Sequence, residues 1–213
     1  MALPEATSPR TERTVRRIFD AAGLCFGELG YSKTTVEEIA SRAGVSKALV
    51  YVHFDGKEDL LEKVLEATLE EWTSYSESCI DEAGPAVTQR LKAMHRSSIE
   101  YAKDHPLLKG IMTRDDRLLL MHVREPGLRA QEAWRDSLIE LLTEGIDRGE
   151  LRCDLDPGRT ADVIILLHNA YLDRLFDTTL VNTSDPALVE AGMDALLLGI
   201  ADSSARSATE GMK

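Results

Sequence analysis

Apolar residues recur along this chain at intervals of three and four, the period of an amphipathic helix. Val15, Ile18, Phe19, Ala22, Phe26 and Leu29 form the first stripe and Gly30 stops it, which predicts a helix over about 11–29. Val36, Ile39, Ala40 and Ala43 then describe a short helix with one buried face. Thr35 and Glu38 stand three apart at its start as a capping box, in which hydroxyl and carboxylate satisfy first-turn N–H groups. Gly44 lies where the chain must leave that helix with positive φ, and Ser46 is a good cap for the next. In this second short helix Val50 and Phe54 face inward. Asp55 with Glu58 repeats the capping pattern, so a third helix begins near Gly56 and Lys57 and carries Leu60, Leu61, Val64, Leu65 and Leu69 on to Trp72 and Tyr75.

Beyond Gly84-Pro85 a helix is expected over about 85–104, then short helical pieces over 106–122 interrupted near Arg114-Asp115-Asp116. Pro126-Gly127 reads as a turn. A helix over about 128–148 places Trp134, Leu138, Leu141 and Leu142 inward, a loop follows at 149–157, and Asp156-Pro157 opens the next helix. The last two helices, about 158–181 and 186–202, are the most apolar, with Val163 to Leu167 and Ala195 to Leu198 at their centres. Their apolar surface covers more of the circumference than a monomer's surface helix should show, so they either form the centre of the larger domain or pack against a second chain, the reading favoured if the chain reads two half-sites through a twofold dimer. Residues 1–9 read as a disordered arm and the stretch after Ser203 as a polar tail. No strand, repeat or low-complexity tract emerges, so the fold class is all-α.

Two short capped helices joined at Gly44 and followed by a third make a helix-turn-helix, the arrangement that presents a small helix to the DNA major groove. The outer face of its second helix supports this. Lys47, Tyr51, His53 and Lys57 are donors suited to phosphate or base edges, and no carboxylate lies between Ser46 and Phe54.

A net charge of −12 argues against nucleic acid until its distribution is considered. Residues 1–57 hold eight Lys/Arg against seven Asp/Glu, net +1, while the remainder holds 17 against 30, net −13. Acid away from the reading head repels DNA there and favours one docking orientation. Arg10, Arg13, Arg16 and Arg17 form a basic cluster placed to lie along a phosphate backbone, the alternative being a solvated helix end.

Other chemistry is absent from the pattern. Cys25, Cys79 and Cys153 are odd in number and widely spaced, unlike a disulfide framework. No apolar run is long enough to span a bilayer and no signal-peptide core opens the chain, so a cytoplasmic protein is expected. No nucleophile elbow, phosphate-binding glycine loop, metal-spaced His/Cys set or paired catalytic carboxylates occur, so no catalytic residue, metal or cofactor is assigned. His95, His105 and His122 are expected as rim or capping residues.

Taken together, the N-terminal helix with Thr-Thr-Val-Glu-Glu-Ile-Ala, Gly-Val-Ser-Lys, Tyr-Val-His-Phe and Lys-Glu-Asp-Leu resembles the TetR family of bacterial transcriptional regulators over about residues 12–65. The Gly149-Glu150-Leu151-Arg152 to Asp154-Leu155-Asp156-Pro157 loop is similar to that family as well. The resemblance implies an all-α homodimer: an N-terminal arm and helix-turn-helix DNA-binding domain at 1–56, a larger ligand-binding and dimerisation domain at 57–203, and a tail at 204–213. It implies a palindromic double-stranded operator, and a ligand that alters the separation of the two reading helices. Thr34 and Thr35 would contact phosphate; Lys47, Ala48 and Leu49, with Ser46 at the head of their helix, would face base edges; Tyr51, His53 and Lys57 would fasten to phosphates. Leu49 and Val52 depart from the family pattern, where hydrogen-bonding side chains are frequent, and suit a thymine methyl instead.

Trp72, Tyr75, Met94, Ile99, Met112, Met121, Trp134 and Leu138 supply large apolar groups for an effector pocket, with His95, Ser98, His122 and Asn169 as isolated polar partners. Such a pocket suits a mostly apolar effector, lipid-like, acyl or drug-like, whereas a cationic drug would need a buried carboxylate, Glu100 or Glu132. Alternatives from other classes are a constitutive DNA-binding protein without a ligand and a small all-α enzyme.

Overall fold

The computed structural model describes residues 9–113, 117–176 and 186–201, without side chains at 112–113, 117–123 and 186–190. Among the described residues the chain forms nine helices: α1 (Pro9–Leu29), α2 (Val36–Ala43), α3 (Lys47–His53), α4 (Lys57–Glu82), α5 (Val87–Asp104), α6 (Pro106–Thr113), α7 (Arg117–Asp147), α8 (Pro157–Phe176) and α9 (Pro186–Ile200). The extended pairing among them is limited to one isolated antiparallel bridge, Leu151 with Ala201. The fold is all-α, as the hydrophobic period predicts.

The chain divides into two compact units, Met1–Thr73 with Tyr101–Leu128, and Ser74–Glu100 with Arg129–Lys213. In the first unit, Ile18, Phe26, Ile39, Val50, Leu60, Leu61 and Leu65 form one buried core, completed by Leu107 of α6. In the second, Val87, Leu91, Met94, Leu138, Leu142, Leu151, Ile164 and Leu197 form another.

The caps follow the sequence closely. Thr35 Oγ1 accepts from Glu38 N–H at 3.2 Å, and Ser46 Oγ accepts from Leu49 N–H at 3.2 Å. Ahead of α4 the expected Asp55–Glu58 pair is replaced by one residue further on. Asp59 Oδ2 accepts from Asp55 N–H at 3.0 Å, because the helix starts at Lys57 and Asp59 therefore occupies its third position. Asp156 caps α8 by accepting from Arg159 N–H.

Pro126 overturns a local expectation. The Pro-Gly pair lies inside α7 and is not a turn. Proline removes only one N–H from the ladder, and the helical residues on both sides carry the helix through it, against the local turn signal.

Helices α1 and α6 meet backbone to backbone. A Cβ at Gly27 would lie 2.3 Å from the Pro106 carbonyl oxygen, and one at Gly110 would lie 2.4 Å from the Gly27 carbonyl oxygen. Only hydrogen fits at either place. Gly23, one turn earlier on α1, has only ordinary contact with Val64 at 3.9 Å. Gly27→Ala is therefore expected to lose roughly 1–3 kcal/mol through overpacking, whereas Gly23→Ala gains up to about 1 kcal/mol from helix propensity. Paired urea denaturation curves check this opposition of sign.

Candidate nucleic-acid interface and effector residues

The reading face is built around the turn between α2 and α3. Gly44 adopts φ 64° and ψ 38°, and its N–H reaches back to the Ala40 and Ser41 carbonyls. Its left-handed backbone costs little only because there is no Cβ. Arg17 of α1 donates from Nη2 to the carbonyls of Ala43 and Gly44, the latter at 3.1 Å, where the end of α2 leaves acceptors without helical donors. Val50 and Phe54 are buried beneath α3. Ser46, Lys47, Ala48, Tyr51 and Val52 remain exposed, Val52 at 72%, while Leu49 and His53 are half-buried at the edge.

Several expected phosphate contacts already have internal partners. Thr34 is 1% exposed, and its hydroxyl lies 2.7 Å from the Gly30 carbonyl oxygen and 3.0 Å from that of Cys25. Its side chain therefore secures the loop before α2 and is not presented to DNA; Thr35, next to it, is exposed. Arg17 is spent on the turn, and Arg16 pairs with Glu71 at 2.6 Å, so these two of the four N-terminal arginines serve the fold. Arg13 Nε donates to the Pro9 carbonyl at 3.2 Å. Lys57 donates to the Tyr31 carbonyl at 2.8 Å, with its ammonium 4.1 Å from the Tyr31 ring centre.

Lys47 forms an ion pair with Glu37 on α2. The hydrogen bond to Lys47 holds the Glu37 carboxyl below its usual range and raises the Lys47 ammonium. The absence of carboxylates within α3 did not reveal this partner, which comes from the preceding helix. The signal was present in Glu37 itself, exposed in the first turn of α2 and ten residues before Lys47.

The expected effector residues fall into both units. Trp72 belongs to the first and stacks on Tyr101, ring centres 6.0 Å apart. In the second unit Met94, His95, Ser98, Ile99 and Leu138 are buried. Tyr75 is exposed and its hydroxyl lies 3.4 Å from Glu100 Oε2. Asn169 is exposed on α8, whereas its neighbour His168 is buried. The side chains of Met112, Met121 and His122 lie outside the described residues.

His95 is a core residue and not a rim one. Its Nδ1 shares a hydrogen bond with Nδ1 of His168 at 3.1 Å, and His168 Nε2 lies 3.2 Å from Ser98 Oγ. The ring of Trp134 is 4.6 Å from that of His168, centre to centre. Burial lowers His95 to about 4, and burial together with His95 lowers His168 to about 3, so both rings are neutral near pH 7. His168 was legible in retrospect: Ala161, Ile164, Ile165, His168 and Leu172 follow one 3.6-residue face of α8, from which Asn169 is turned away.

A family model for bacterial regulatory proteins of the tetR family matches residues 18–64. The HTH-type transcriptional repressor DhaR of a Mycobacterium species (strain GP1) is 30% identical over 140 residues, covering 66% of this chain and 71% of that protein. The chain belongs to the TetR family. The fatty acid metabolism regulator protein of Bacillus subtilis is 29% identical over 141 residues, 66% of this chain and 72% of that one. The fold is also that of the solved FadR regulator from Bacillus subtilis in complex with stearoyl-CoA, with a TM-score of 0.67 at 24% identity over 87% of this chain and 98% of that one.

As a TetR-family protein the chain is a DNA-binding transcriptional regulator and not an enzyme. Among the described residues no helix is long and apolar enough to cross a membrane. The exposed face of α3 carries Lys47 already paired with Glu37. If Lys47 is to contact DNA as the sequence suggests, it has to leave this carboxylate, which itself repels phosphate.

Two outcomes follow. Lys47→Ala should weaken specific DNA binding roughly tenfold with the melting temperature unchanged, while Glu37→Gln should strengthen it and steepen its dependence on salt, because a freed Lys47 adds a phosphate contact; fluorescence anisotropy titrations read both. The two buried histidines set a pH dependence. A His whose folded pKa lies below its unfolded value favours folding fully above about pH 6.5, and that contribution declines as pH falls toward 4. His95 alone removes about 2 kcal/mol between pH 7.5 and pH 5, a loss that His95→Leu should largely abolish in denaturation curves at the two pH values.

Proposed function

We propose that this TetR-family chain is a ligand-responsive repressor that binds a palindromic operator as a homodimer and is released by a mostly apolar small molecule. In this reading residues 1–56 form the DNA-binding domain, 57–203 the ligand-binding and dimerisation domain, and 204–213 a tail. Dimerisation uses α8 and α9.

The observation that carries the dimer is apolar surface left facing outward on those two helices. Leu166 is 68% exposed and Leu198 59%, with Val163 and Leu167 also exposed on α8. Val163, Leu166, Leu167 and Ala170 repeat at three, four and seven residues, one continuous stripe opposite the buried face that carries His168. A second copy covers such a stripe isologously, and the twofold axis supplies the second reading helix that a palindrome requires.

The effector class is supported by the large apolar groups around the buried histidines, Met94, Leu138 and Ile165 among them. It is supported also by the fatty-acid role in the name of the Bacillus subtilis relative and by the stearoyl-CoA bound to FadR from that organism.

Leu166→Glu combined with Leu198→Glu is expected to convert a dimer at micromolar concentration into a folded monomer. Operator affinity should fall at least tenfold. Sedimentation equilibrium and anisotropy measure the two; a wild-type monomer that binds operator tightly overturns the twofold reading.

A further inference from the structure

We propose that the second unit holds the effector through a neutral hydrogen-bond acceptor, an ester, thioester, lactone or ketone oxygen, received by Trp134 Nε1–H beside the His95–His168 pair. A carboxylate, phosphate or ammonium group does not take that place. The proposal rests on the reading of the chain as ligand-responsive and adds the chemistry of the ligand's polar end.

The indole N–H is the first argument. Trp134 Nε1 is buried and has no acceptor among the protein groups of the described residues. An indole nitrogen only donates, so what satisfies it must present an oxygen or nitrogen lone pair. Leaving such a donor unpaired in a core costs about 1–3 kcal/mol. The histidines beside it do not meet this need. Their Nδ1 atoms face each other at 3.1 Å, and Ser98 takes His168 Nε2 at 3.2 Å. The Nδ1–Nδ1 bond needs one donor and one acceptor, so the two rings cannot both be cations.

Charge is the second argument. Among the described residues every buried polar side chain is Thr, Ser or His; no Lys, Arg, Asp or Glu is buried. Glu100 and Glu132, the carboxylates a cationic ligand would need, are both exposed. Arg135, the residue after Trp134, is committed to Asp162 at 2.6 Å. Burial holds both histidines neutral near pH 7, so neither supplies a counter-charge to an anion. An ionised headgroup brought among Met94, Leu138, Ile165 and this pair would lose its hydration without gaining a partner, whereas a neutral oxygen gains one.

A matched set of probes separates the possibilities: methyl decanoate, decanoate, decylamine and decane, each added at pH 7.5 to full-length protein carrying 15N-labelled indoles. The chain has two tryptophans, and Trp72→Phe assigns the two indole N–H signals. Methyl decanoate is expected to move the Trp134 signal downfield, decane to leave its proton shift near the free value, and the ester to bind at least tenfold more tightly than decanoate or decylamine. Trp134→Phe should weaken ester binding about tenfold and leave decane binding unchanged. The indole shift is read on protein with Trp134 intact, so the test survives a misfolded variant.

Tighter binding of decanoate or decylamine than of the ester overturns the proposal, as does an ester that binds without moving the Trp134 signal. Operator release measured in parallel keeps the two readings apart. Release by decanoate or decylamine but not by the ester leaves the ligand-responsive repressor standing and removes the neutral anchor. Binding of none of the four removes the anchor, and the repressor reading is then judged by operator binding alone.

Discussion

The turn between α2 and α3 is held at Gly44, whose left-handed backbone redirects the chain while Arg17 reaches from α1 onto the Ala43 and Gly44 carbonyls. The angle at which α3 is presented depends on that clamp. A side chain at residue 44 would strain the backbone and bring its Cβ to 2.6 Å from the Arg17 guanidinium. The basic residues of the first unit therefore divide their work. Arg16 and Arg17 hold helices together, and Lys47 stands on the exposed face of α3 against Glu37. With little free positive charge on α3 itself, the proposed recognition would lean on shape, on the apolar Ala48 and Val52, and on the pairing of two reading heads in the proposed dimer.

The same economy of charge governs the second unit, where the described polar side chains that are buried in the apolar core carry no charge near pH 7. Two histidines and a serine are linked by hydrogen bonds, and among the described residues the indole N–H of Trp134 has no partner. A ligand entering such a core as proposed would be selected by hydrogen-bond complementarity and not by ion pairing, and a charged one would be penalised.

The helical period, the caps at Thr35 and Ser46, the turn at Gly44 and the exposure of the outer face of α3 were all legible in the sequence, because each is set by residues within one or two turns of each other. What was not legible depends on distant partners. Thr34 reads as a phosphate contact until the Cys25 and Gly30 carbonyls are seen to take its hydroxyl. Arg17 reads as part of a basic arm until the end of α2 claims it. Pro126 misleads for the opposite reason: a strong local signal is outweighed by the length of helix on either side. Between Asn169 and His168, only the phase of α8 decides which faces the core, and an apolar run with little polar contrast hides that phase.

The central claim is that α3 enters the major groove of a duplex, twice and in symmetric fashion. Its most direct test places an iron chelate on a cysteine introduced at the exposed Ala48, in a background where the exposed Cys153 is Ser, and maps strand cleavage on a duplex selected by the full-length protein from random sequence. The account predicts two cleavage patches related by a twofold axis, their centres separated by one or more helical turns of about ten base pairs each. Cleavage spread evenly along the duplex, or confined to a single patch, would contradict it.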